Sequence, residues 1–565
     1  MRVADTIAEI LVKEGVRVAA GIGGNSIQYV AEAMAARPEM KVCYARSERV
    51  AADIVDGYAR VTGQPAVVFT DHGPGAANAM AGIVNSWGDS TPVLFLSGQN
   101  PRFEVPGRLY KELAISEVYR PVSKWTASIL DPSQIEQILR RAFVLLRSGR
   151  PGPIVIELPE DVTHIDAPAI DYRPIPEKRF RSAGNPADVE EAVRILGRAE
   201  HPYVYVGAGA LFSEATPELV ELAELLSLPV ATTLNGKSAF PENHPLALGI
   251  GAFARGTYDT LQAARFAEAA DVVLTLGCGF KKHVLYGPMP HGCVHIQVDV
   301  DASELHKESR ADMAILGDAK LVLQQMLAGA RSLLPEARLR PRPQITEQIA
   351  EYRREWMAIS EPLLTSDERP INPFRVTHEL TQLLDPDRTI VLHDAGSVRG
   401  TICQHYTATV PHSFVGYGVE SAMGWSLGAA IGAKLAAPDK LVVAVTGDEA
   451  FGETALDLDT SVRIGAPFLT VLKNNQADRR SEARGFPNLA ALRGSPGGDY
   501  TALARALGVQ ALRVEDAEDL NMAITTSIEH VNAGRTALVE VMTKREQPSF
   551  LRGASTPTAA ATAHL

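Results

Sequence analysis

The 565-residue sequence has few cysteines, no long apolar run and no excess of positive charge. Its four cysteines lie far apart without a C-x-x-C pair, which argues against both a disulfide framework and a zinc site. No stretch approaches the about 18 apolar residues of a membrane-spanning helix. A net charge of −12 argues against a nucleic-acid-binding protein, because such proteins neutralise phosphates with lysine and arginine. These absences predict a cytoplasmic protein with neither nucleic-acid nor membrane partners.

The composition is that of a folded multidomain protein. Hydrophobic residues make up 46% and charged residues 22% of the chain, which is close to the average for soluble globular proteins. At about 100–200 residues per domain, the length predicts three or four domains. The first 15 residues are amphipathic and contain Asp5 and Glu9, which predicts a helix rather than a secretory signal.

Short apolar segments alternate with helical patterns along most of the chain, which predicts an α/β fold with parallel sheets. Pro-rich stretches at 166–178 and 338–344 separate three such blocks and are predicted to be linkers. We therefore expect three doubly wound parallel-sheet domains and a flexible tail, at 1–165, 184–335, 365–545 and 546–565.

Two predicted strands of the third block end in polar residues that suit a hard cation. KLVVAVTGD ends at Gly447-Asp448, and FLTVLKNN ends at Asn474-Asn475. Because parallel strands present their carboxyl ends at one edge, Asp448 and Asn475 should offer oxygens to the same ion. Mg²⁺ prefers a few protein oxygens together with water and ligand phosphates. A Gly-Asp pair after a strand is by itself a common loop. The Asn474-Asn475 pair at the end of the second strand is what favours a metal site.

This pattern resembles the diphosphate-binding motif of the thiamine diphosphate-dependent enzymes, Gly-Asp-Gly followed by Asn-Asn. The resemblance implies thiamine diphosphate and Mg²⁺ as cofactors. Glu449 stands where the family usually has Gly or Ala, so its carboxylate must turn away from the diphosphate or be neutralised. The implied metal ligands are Asp448, Asn475 and the carbonyl of Ala477, and the implied cofactor contacts here are Gly447, Asp448, Glu449, Ala450 and Asn475.

The segment ERVAADIVDGYAR (48–60) fits a helix that begins near Glu48, where a carboxylate would in any case favour the helix dipole. The segment is similar to one in acetolactate synthase-like enzymes. The resemblance implies that Glu48 is catalytic and hydrogen-bonds a ring nitrogen of the cofactor pyrimidine. The imino tautomer that this favours takes the C2 proton of the thiazolium ring.

The segment 416–436 contains many small residues and is predicted to be a tightly packed helix. It resembles the family segment that grips the aminopyrimidine. The resemblance implies that Met423 bends the cofactor into its V conformation and that the carbonyl of Ser421 accepts a hydrogen bond from the 4′-amino group. In the turn 393–400, Gly396 and Ser397 are implied to contact the diphosphate.

The segment FTDHGPGAAN (69–78) predicts a strand, a tight turn and a helix start. Gly73-Pro74-Gly75 resembles the corresponding family turn, whereas Asp71 and His72 are unusual there for an acetolactate synthase. Benzoylformate decarboxylase-like members carry an acid–base histidine nearby. His72 is therefore predicted either to shuttle protons to the substrate-derived oxygen or to be a turn residue bonded to the backbone.

The middle block is less specific. It carries flavin (FAD) in acetolactate synthases and an adenine nucleotide in oxalyl-CoA decarboxylase and the 2-hydroxyacyl-CoA lyases. GCGFKKHVLYGPMPHGCVHIQVDVD (277–301), with Lys281-Lys282, is somewhat more similar to the second group. We therefore expect an adenine-containing ligand, ADP or CoA, or else FAD in this domain.

The resemblance covers about residues 1–545 and implies a pyrimidine-binding, a central and a diphosphate-binding domain. Glu48 and Asp448 would meet across the subunit interface of a homodimer or homotetramer. The predicted function is acetolactate synthase-like decarboxylation and carboligation of a 2-oxo acid. The alternatives are an acyl-CoA decarboxylase, a 2-hydroxyacyl-CoA lyase and a benzoylformate-type decarboxylase.

Two departures weaken the synthase prediction. The family has Phe-Gln-Glu where this chain has Tyr110-Lys111-Glu112, and its Trp-bearing lid is replaced by residues 476–488. A non-catalytic cofactor-binding homologue is the alternative from another class, and Glu449 together with the altered lid favours it.

Overall fold

The computed structural model describes residues 1–544, except for 106, 108–109, 176–179, 252, 254–258, 281–288, 340, 397, 477–487, 489–491 and 493–497. Among the described residues, three separate sheets of six strands form, and every strand pair in them is parallel. The predicted α/β class with three doubly wound parallel-sheet domains is confirmed. No helix within these described ranges combines the length and the apolarity needed to cross a membrane.

The strands of each sheet follow one another along the chain without exchange between domains. In the first domain they are β1 Val18–Ile22, β2 Lys41–Tyr44, β3 Ala66–Thr70, β4 Val93–Gln99, β5 Trp125–Ser128 and β6 Ile154–Pro159. In the central domain they are β7 Pro202–Val206, β8 Val230–Thr232, β9 Ala247–Ile250, β10 Val272–Leu276, β11 Val294–Asp299 and β12 Met313–Leu316. In the third domain they are β13 Thr389–His393, β14 Phe414–Gly416, β15 Leu441–Gly447, β16 Leu469–Asn474, β17 Gln510–Val514 and β18 Ala537–Met542.

Helices connect the strands and cover the sheet faces. Those of the first domain are α1 Val3–Lys13, α2 Gln28–Ala35, α3 Glu48–Thr62, α4 Pro74–Gly88, α5 Ile115–Tyr119, α6 Ile135–Leu146 and α7 Glu160–Thr163. The central domain and the segment after it contain α8 Pro186–Arg198, α9 Ala208–Phe212, α10 Thr216–Leu226, α11 Leu261–Ala269, α12 Ala319–Leu333 and α13 Pro343–Leu364. The third domain contains α14 Pro373–Leu383, α15 Val398–His405, α16 Trp425–Ala436, α17 Asp448–Thr454, α18 Leu458–Ile464, α19 Tyr500–Ala506 and α20 Leu520–Asn532.

The first and third sheets have the same topology. Their strand orders, β2-β1-β3-β4-β6-β5 and β14-β13-β15-β16-β18-β17, correspond strand by strand. The central sheet, read from β9, has the order β9-β8-β7-β10-β11-β12. That is the 3-2-1-4-5-6 order of dinucleotide-binding domains, whose ligands lie where the strand order reverses, here between β7 and β10.

The segment 416–436 is not one helix, so this prediction was wrong. Only α16 is helical, and residues 417–424 form a loop after β14. Gly418, Ser421 and Gly424 have φ values of 94°, 58° and 84°. These lie in the left-handed region, which no helix of L-residues contains. Small residues therefore mark a turning loop in the first part of this segment and close helix packing in the second.

The first and third domains are joined by direct backbone contact between α3 and α16. A Cβ on Gly432 would lie 1.9 Å from the carbonyl oxygen of Ile54, and one on Gly57 would lie 2.3 Å from that of Ala429. Arg60 on α3 also donates to the carbonyl of Gly416 at 2.9 Å. The small residues of both helices therefore dock the two domains of the same chain against each other.

Candidate functional site

Two of the predicted metal ligands, Asp448 and Asn475, lie at one edge of the third sheet. β13 pairs with β15 with His393 opposite Val445, and β15 pairs with β16 with Gly447 opposite Lys473. Gly396 comes three residues after His393, the last residue of β13, Asp448 directly follows β15, and Asn475 directly follows β16. The topology thus brings Gly396, Asp448 and Asn475 to the same carboxyl edge, where open α/β sheets bind their ligands.

The two asparagines at the end of β16 have different surroundings. Asn474 is buried, donates to Glu540 Oε1 at 2.7 Å and accepts from the backbone N–H of Gln476 at 3.0 Å. Asn475 is half-buried at the edge itself. Because the Asn474 amide already holds the strand end in place, Asn475 is the asparagine that suits a cation.

Negative charge gathers beside this edge. Asp448 is buried and begins α17, where its Oδ1 accepts the backbone N–H of Glu449 at 3.0 Å. Glu449 is half-buried. Burial raises the pKa of the neighbouring Tyr500, and the carboxylates of Asp448, Glu540 and Glu449 raise it further. A carboxylate, an amide oxygen and surrounding negative charge are a donor set that fits Mg²⁺.

The loop 417–424 is held in shape by Asp394, which follows β13. The backbone N–H groups of Gly424 and Ser426 donate to its two carboxyl oxygens, both at 2.9 Å. Burial raises the pKa of Asp394 in spite of these donors. The two loop residues with predicted cofactor contacts, Ser421 and Met423, are both exposed. The loop is thus built with its Ser421–Met423 segment at the surface of the chain.

Glu48 is the first residue of α3, as the sequence predicts. Its carboxyl group is half-buried and accepts a hydrogen bond from Asn78 Nδ2 at 3.2 Å. A Cβ on Gly75 would lie 3.4 Å from Glu48 Oε1 and 3.5 Å from the Cβ of Asp71. The glycine turn therefore passes directly beside the Glu48 carboxyl group.

The start of α3 also touches the third domain. Arg49 donates to the carbonyl oxygen of Met423 and pairs with Glu453 at 2.7 Å. The backbone N–H of Arg46 donates to Asp457 Oδ1 at 2.8 Å. Docking of α3 on α16 therefore brings the residue next to Glu48 to the Met423 loop within a single chain, whereas the resemblance implies that Glu48 and Asp448 meet across a subunit interface.

The turn after β3 contributes Asp71 and His72 to a polar cluster, which we call the His72 cluster and define as Ser26, Asp71, His72 and Lys111. His72 is buried, and its Nδ1 lies 2.9 Å from Ser26 Oγ and 3.2 Å from Asp71 Oδ1. Ser26 Oγ is 2.5 Å from Asp71 Oδ1, and Lys111 Nζ is 2.8 Å from Asp71 Oδ2. Both alternatives for His72 remain open, because its backbone N–H also donates to Ser26 at 3.2 Å.

A large cavity of about 680 Å³ lies between the three domains. Its central-domain wall includes Gly207 and Gly277, which follow β7 and β10 at the reversal of strand order. A Cβ on Gly207 would lie 2.1 Å from the Gly277 carbonyl oxygen, so the two strand ends approach without intervening side chains. Arg150 and Ser421 line the cavity from the first and third domains. The cavity therefore extends from the nucleotide-type switch point to the loop 417–424.

Several predicted residues lie outside the described residues: Ser397, Ala477, Lys281-Lys282, residues 477–487 of the altered lid and the tail 546–565. The contact of Lys111 with Asp71 was not predicted, although each residue departs from the family pattern. Asp394 was not predicted either; its signal in the sequence is an Asp that directly follows an apolar strand, two residues before Gly396.

Three family models match the chain in order. They are the thiamine pyrophosphate enzyme N-terminal TPP binding domain at residues 1–118, the central domain at 189–326 and the C-terminal TPP binding domain at 394–541. The fold and the sheet edge thus belong to a thiamine pyrophosphate (thiamine diphosphate) enzyme.

The curated relatives refine this class. A probable acetolactate synthase large subunit of Methanocaldococcus jannaschii is 31% identical, over 94% of this chain and 90% of its own length. The acetolactate synthase isozyme 3 large subunit of Escherichia coli is 30% identical, over 95% and 94%. The mitochondrial acetolactate synthase catalytic subunit of Saccharomyces cerevisiae is 26% identical, over 96% and 80%. The chain belongs to the thiamine pyrophosphate enzyme family and is acetolactate synthase-like.

Proposed function

We propose that this enzyme uses thiamine diphosphate and Mg²⁺ to decarboxylate a 2-oxo acid and to join the remaining fragment to a second carbonyl compound. The observation that carries the proposal is the common sheet edge of Gly396, Asp448 and Asn475. When bound, thiamine diphosphate supplies a carbanion at C2 and an electron sink. The protein must bind it, bend it and move protons.

In the third domain, Asp448 and Asn475 would bind the metal ion, together with the carbonyl of Ala477. The metal ion would neutralise the diphosphate, since the net charge of the protein is −12 and the edge itself is acidic. Gly396, Ser397, Gly447 and Ala450 would contact the diphosphate. Glu449 lies in the same acidic surroundings, and its carboxylate would have to point away from the diphosphate.

In the first domain, Glu48 would hydrogen-bond the pyrimidine ring and favour the tautomer that accepts a proton. Met423 would set the bend of the cofactor, and the Ser421 carbonyl would orient the amino group. Arg49 supports this arrangement because it reaches the Met423 carbonyl from the residue adjacent to Glu48. His72 would exchange a proton with the substrate-derived oxygen.

A second copy of the chain would complete the site. Tyr44, Trp87, Val419 and Met423 are exposed apolar residues near the start of α3 and the loop 417–424. Glu48 is only half-buried, although the activation of a cofactor benefits from the exclusion of water. We therefore propose a homodimer or homotetramer in which the partner subunit covers this surface.

The central cavity would hold an adenine-containing nucleotide, either as ADP or CoA or as the corresponding part of FAD. The strand order of the central sheet and the absence of side chains at Gly207 and Gly277 favour a dinucleotide-type ligand. Denaturing the purified protein and identifying the released small molecules tests this assignment. The proposal is wrong if no such molecule is released and none of ADP, CoA or FAD binds on addition.

The reaction is tested with a panel of 2-oxo acids and 2-hydroxyacyl-CoAs, with identification of the products. Release of CO₂ and a 2-hydroxy-3-oxo acid product would support the proposal. Cleavage of an acyl-CoA would favour the decarboxylase or lyase alternative. Exchange of the C2 proton of bound thiamine diphosphate, followed by NMR, separates both enzymes from a non-catalytic homologue, which would not exchange it.

A further inference from the structure

The residues of the His72 cluster come from three loops at the carboxyl edge of the first sheet. Ser26 follows β1, Asp71 and His72 follow β3, and Lys111 lies in the loop after β4. The glycine turn and the Lys111 loop are in direct contact, since a Cβ on Gly73 would lie 2.3 Å from the Lys111 carbonyl oxygen. The cluster is therefore formed by tertiary structure at the edge that also presents Glu48.

The loop that carries Lys111 is fixed on both sides. Asn100 Nδ2 donates to the carbonyl of Tyr110 at 3.1 Å, and Gln99 Nε2 donates to the carbonyl of Leu113 at 2.9 Å. Both donors belong to the end of β4 or follow it directly. The ammonium group of Lys111 is thus held toward Asp71 by an anchored backbone.

The hydrogen bonds determine which nitrogen of His72 carries a proton. Ser26 Oγ lies 2.5 Å from the Asp71 carboxylate, which only accepts, so the hydroxyl donates its proton there. Ser26 Oγ must then accept from His72 Nδ1 at 2.9 Å. Nδ1 is also 3.2 Å from Asp71 Oδ1, where it again has to donate. In neutral His72 the proton is therefore on Nδ1, and Nε2 carries the lone pair.

Lys111 stabilises the charged carboxylate of Asp71, which is the hydrogen-bond acceptor of this cluster. Burial alone would raise the pKa of Asp71, but hydrogen bonds from His72, Lys111 and Ser26 hold it well below its ordinary value. Glu48 is a second acidic residue close to the cluster, because it and Asp71 lie on either side of Gly75. Among the described residues no hydrogen bond reaches His72 Nε2. The cluster thus uses His72 Nδ1 for hydrogen bonds within the protein, and Nε2 is the nitrogen that can contact a ligand.

We propose that Ser26, Asp71 and Lys111 are positioning residues that keep the Nδ1 of His72 protonated, so that Nε2 is the atom that exchanges a proton with the substrate oxygen. This inference rests on the proposed function. In the forward step, the Nε2–H bond of the imidazolium breaks, an O–H bond forms on the substrate oxygen, and the bonding pair stays on Nε2. When the product carbonyl forms, the proton returns to Nε2. Asp71 stabilises the imidazolium in both directions.

The test combines NMR with kinetics on the full-length enzyme. Protein labelled with ¹⁵N-histidine gives the tautomer of each imidazole through long-range ¹H–¹⁵N correlations, and His72→Asn identifies the His72 signals. We expect protonated Nδ1 and bare Nε2 in the wild type. In Asp71→Asn, we expect a mixture of tautomers and a kcat lowered about 10²-fold, the lower end of the range for general acid–base catalysis.

Lys111→Met tests the charge of Asp71. Loss of the cation should raise the pKa of Asp71, so the acidic limb of the kcat/KM profile should move to higher pH, and Lys111→Arg should restore it. Lys13→Met is the matched control, because Lys13 is an exposed residue of α1 in the same domain and pairs with Glu9 at 2.8 Å. The control should leave the profile unchanged.

The outcomes separate this proposal from the proposed function. Protonated Nε2 in the wild type, or an unchanged tautomer and kcat in Asp71→Asn, would overturn the positioning role. If Asp71→Asn does not fold, Ser26→Ala decides by the same two measurements. C2 proton exchange should stay at the wild-type rate in every variant, because it depends on Glu48. A wild type that shows no exchange would refute the proposed function and leave the tautomer result valid.

Discussion

The first and third domains share one sheet topology and differ in what they present at the carboxyl edge. At the carboxyl edge of the third sheet lie Asp448 after β15 and Asn475 after β16, in the surroundings of Glu540 and Glu449. At the carboxyl edge of the first sheet, the helix after β2 begins at Glu48, and the loops after β1, β3 and β4 form the His72 cluster. In this cluster a cation, a carboxylate and an imidazole are in contact. The shared topology supplies two similar edges, and the loop residues decide their chemistry. We propose that one edge binds a metal ion with the diphosphate and that the other moves protons.

The largest expected effect concerns the first domain. Glu48→Gln keeps the size of the side chain but cannot transfer the proton, so turnover should fall about 10²–10⁴-fold. Affinity for thiamine diphosphate should change far less, because the metal and diphosphate contacts lie in the third domain. Slow C2 hydrogen–deuterium exchange would locate the defect. Glu32→Gln is the control, because Glu32 is an exposed carboxylate on α2. Near-wild-type turnover of Glu48→Gln would contradict the proposal that the first edge moves protons.

The second prediction applies to the third domain. Asp448→Ala removes a charged metal ligand, so the affinity for thiamine diphosphate in the presence of Mg²⁺ should fall about 100-fold, the loss of roughly 3 kcal/mol. Calorimetric titration measures it. Asp439→Ala is the control, because Asp439 is an exposed carboxylate just before β15, at the opposite end of the same strand. Equal affinities of the two variants would contradict the metal assignment.

The third prediction concerns the contact between the two domains. Gly432→Ala places a Cβ 1.9 Å from the Ile54 carbonyl oxygen, where the backbone has to move. Overpacking of this kind costs about 1–3 kcal/mol, and the melting temperature should fall by several degrees. At Gly452 on α17 a Cβ meets no atom within 4 Å, so Gly452→Ala should melt at or above the wild-type temperature. A Gly432→Ala variant as stable as Gly452→Ala would show that α3 and α16 are not tightly docked.

The smallest effect is a pH dependence of stability at Asp53 of α3. Burial raises the pKa of Asp53 despite nearby Arg49, and neither carboxyl oxygen has a hydrogen-bond partner among the residues that the structure describes. A folded-state pKa above the unfolded value of about 3.9 means that the contribution to stability is complete at low pH and is lost as the pH rises through the folded pKa. Asp53→Asn does not titrate.

The melting temperature of Asp53→Asn should therefore exceed that of the wild type increasingly from pH 5 to pH 9. Differential scanning calorimetry at both pH values measures the difference. Asp439→Asn on the exposed loop before β15 should show no such trend. A difference between Asp53→Asn and the wild type that does not change with pH would mean that Asp53 does not titrate with a raised pKa.

The fold was predictable from the sequence where periodicity and strand ends were clear. The helix predicted to begin near Glu48 matches α3, because its apolar residues recur at helical spacing, and Gly63 ends it in the left-handed region, with φ 69°. Short or half-polar strands such as β5 and β17 were not predicted, because their four or five residues show little hydrophobic periodicity. The loop 417–424 was missed for a different reason, because Gly418 and Ser421 adopt positive φ in response to tertiary contacts.

The candidate site was predictable only in part. Gly447-Asp448 and Asn474-Asn475 follow apolar strands, and a shared edge for them follows from parallel pairing alone. Which asparagine faces the edge does not, because the contact of Asn474 with Glu540 joins residues 66 positions apart. The roles of Glu48, Met423 and Asp448 stay predictions until they are measured.

The sequence by itself determined the three α/β domains, the helix that begins at Glu48 and the polar strand ends of the third domain. These depend on hydrophobic periodicity and on local backbone preference, which act between residues near one another in the chain. Only the tertiary structure decided that Lys111 and Asp71, which are 40 positions apart, form an ion pair and that His72 Nδ1 lies 2.9 Å from Ser26 Oγ. It also decided that Arg49 reaches Met423 through the docking of α3 on α16. Such contacts depend on where loops from different strands meet, because electrostatic and hydrogen-bond energies act over a few ångströms in space, whatever the separation along the chain.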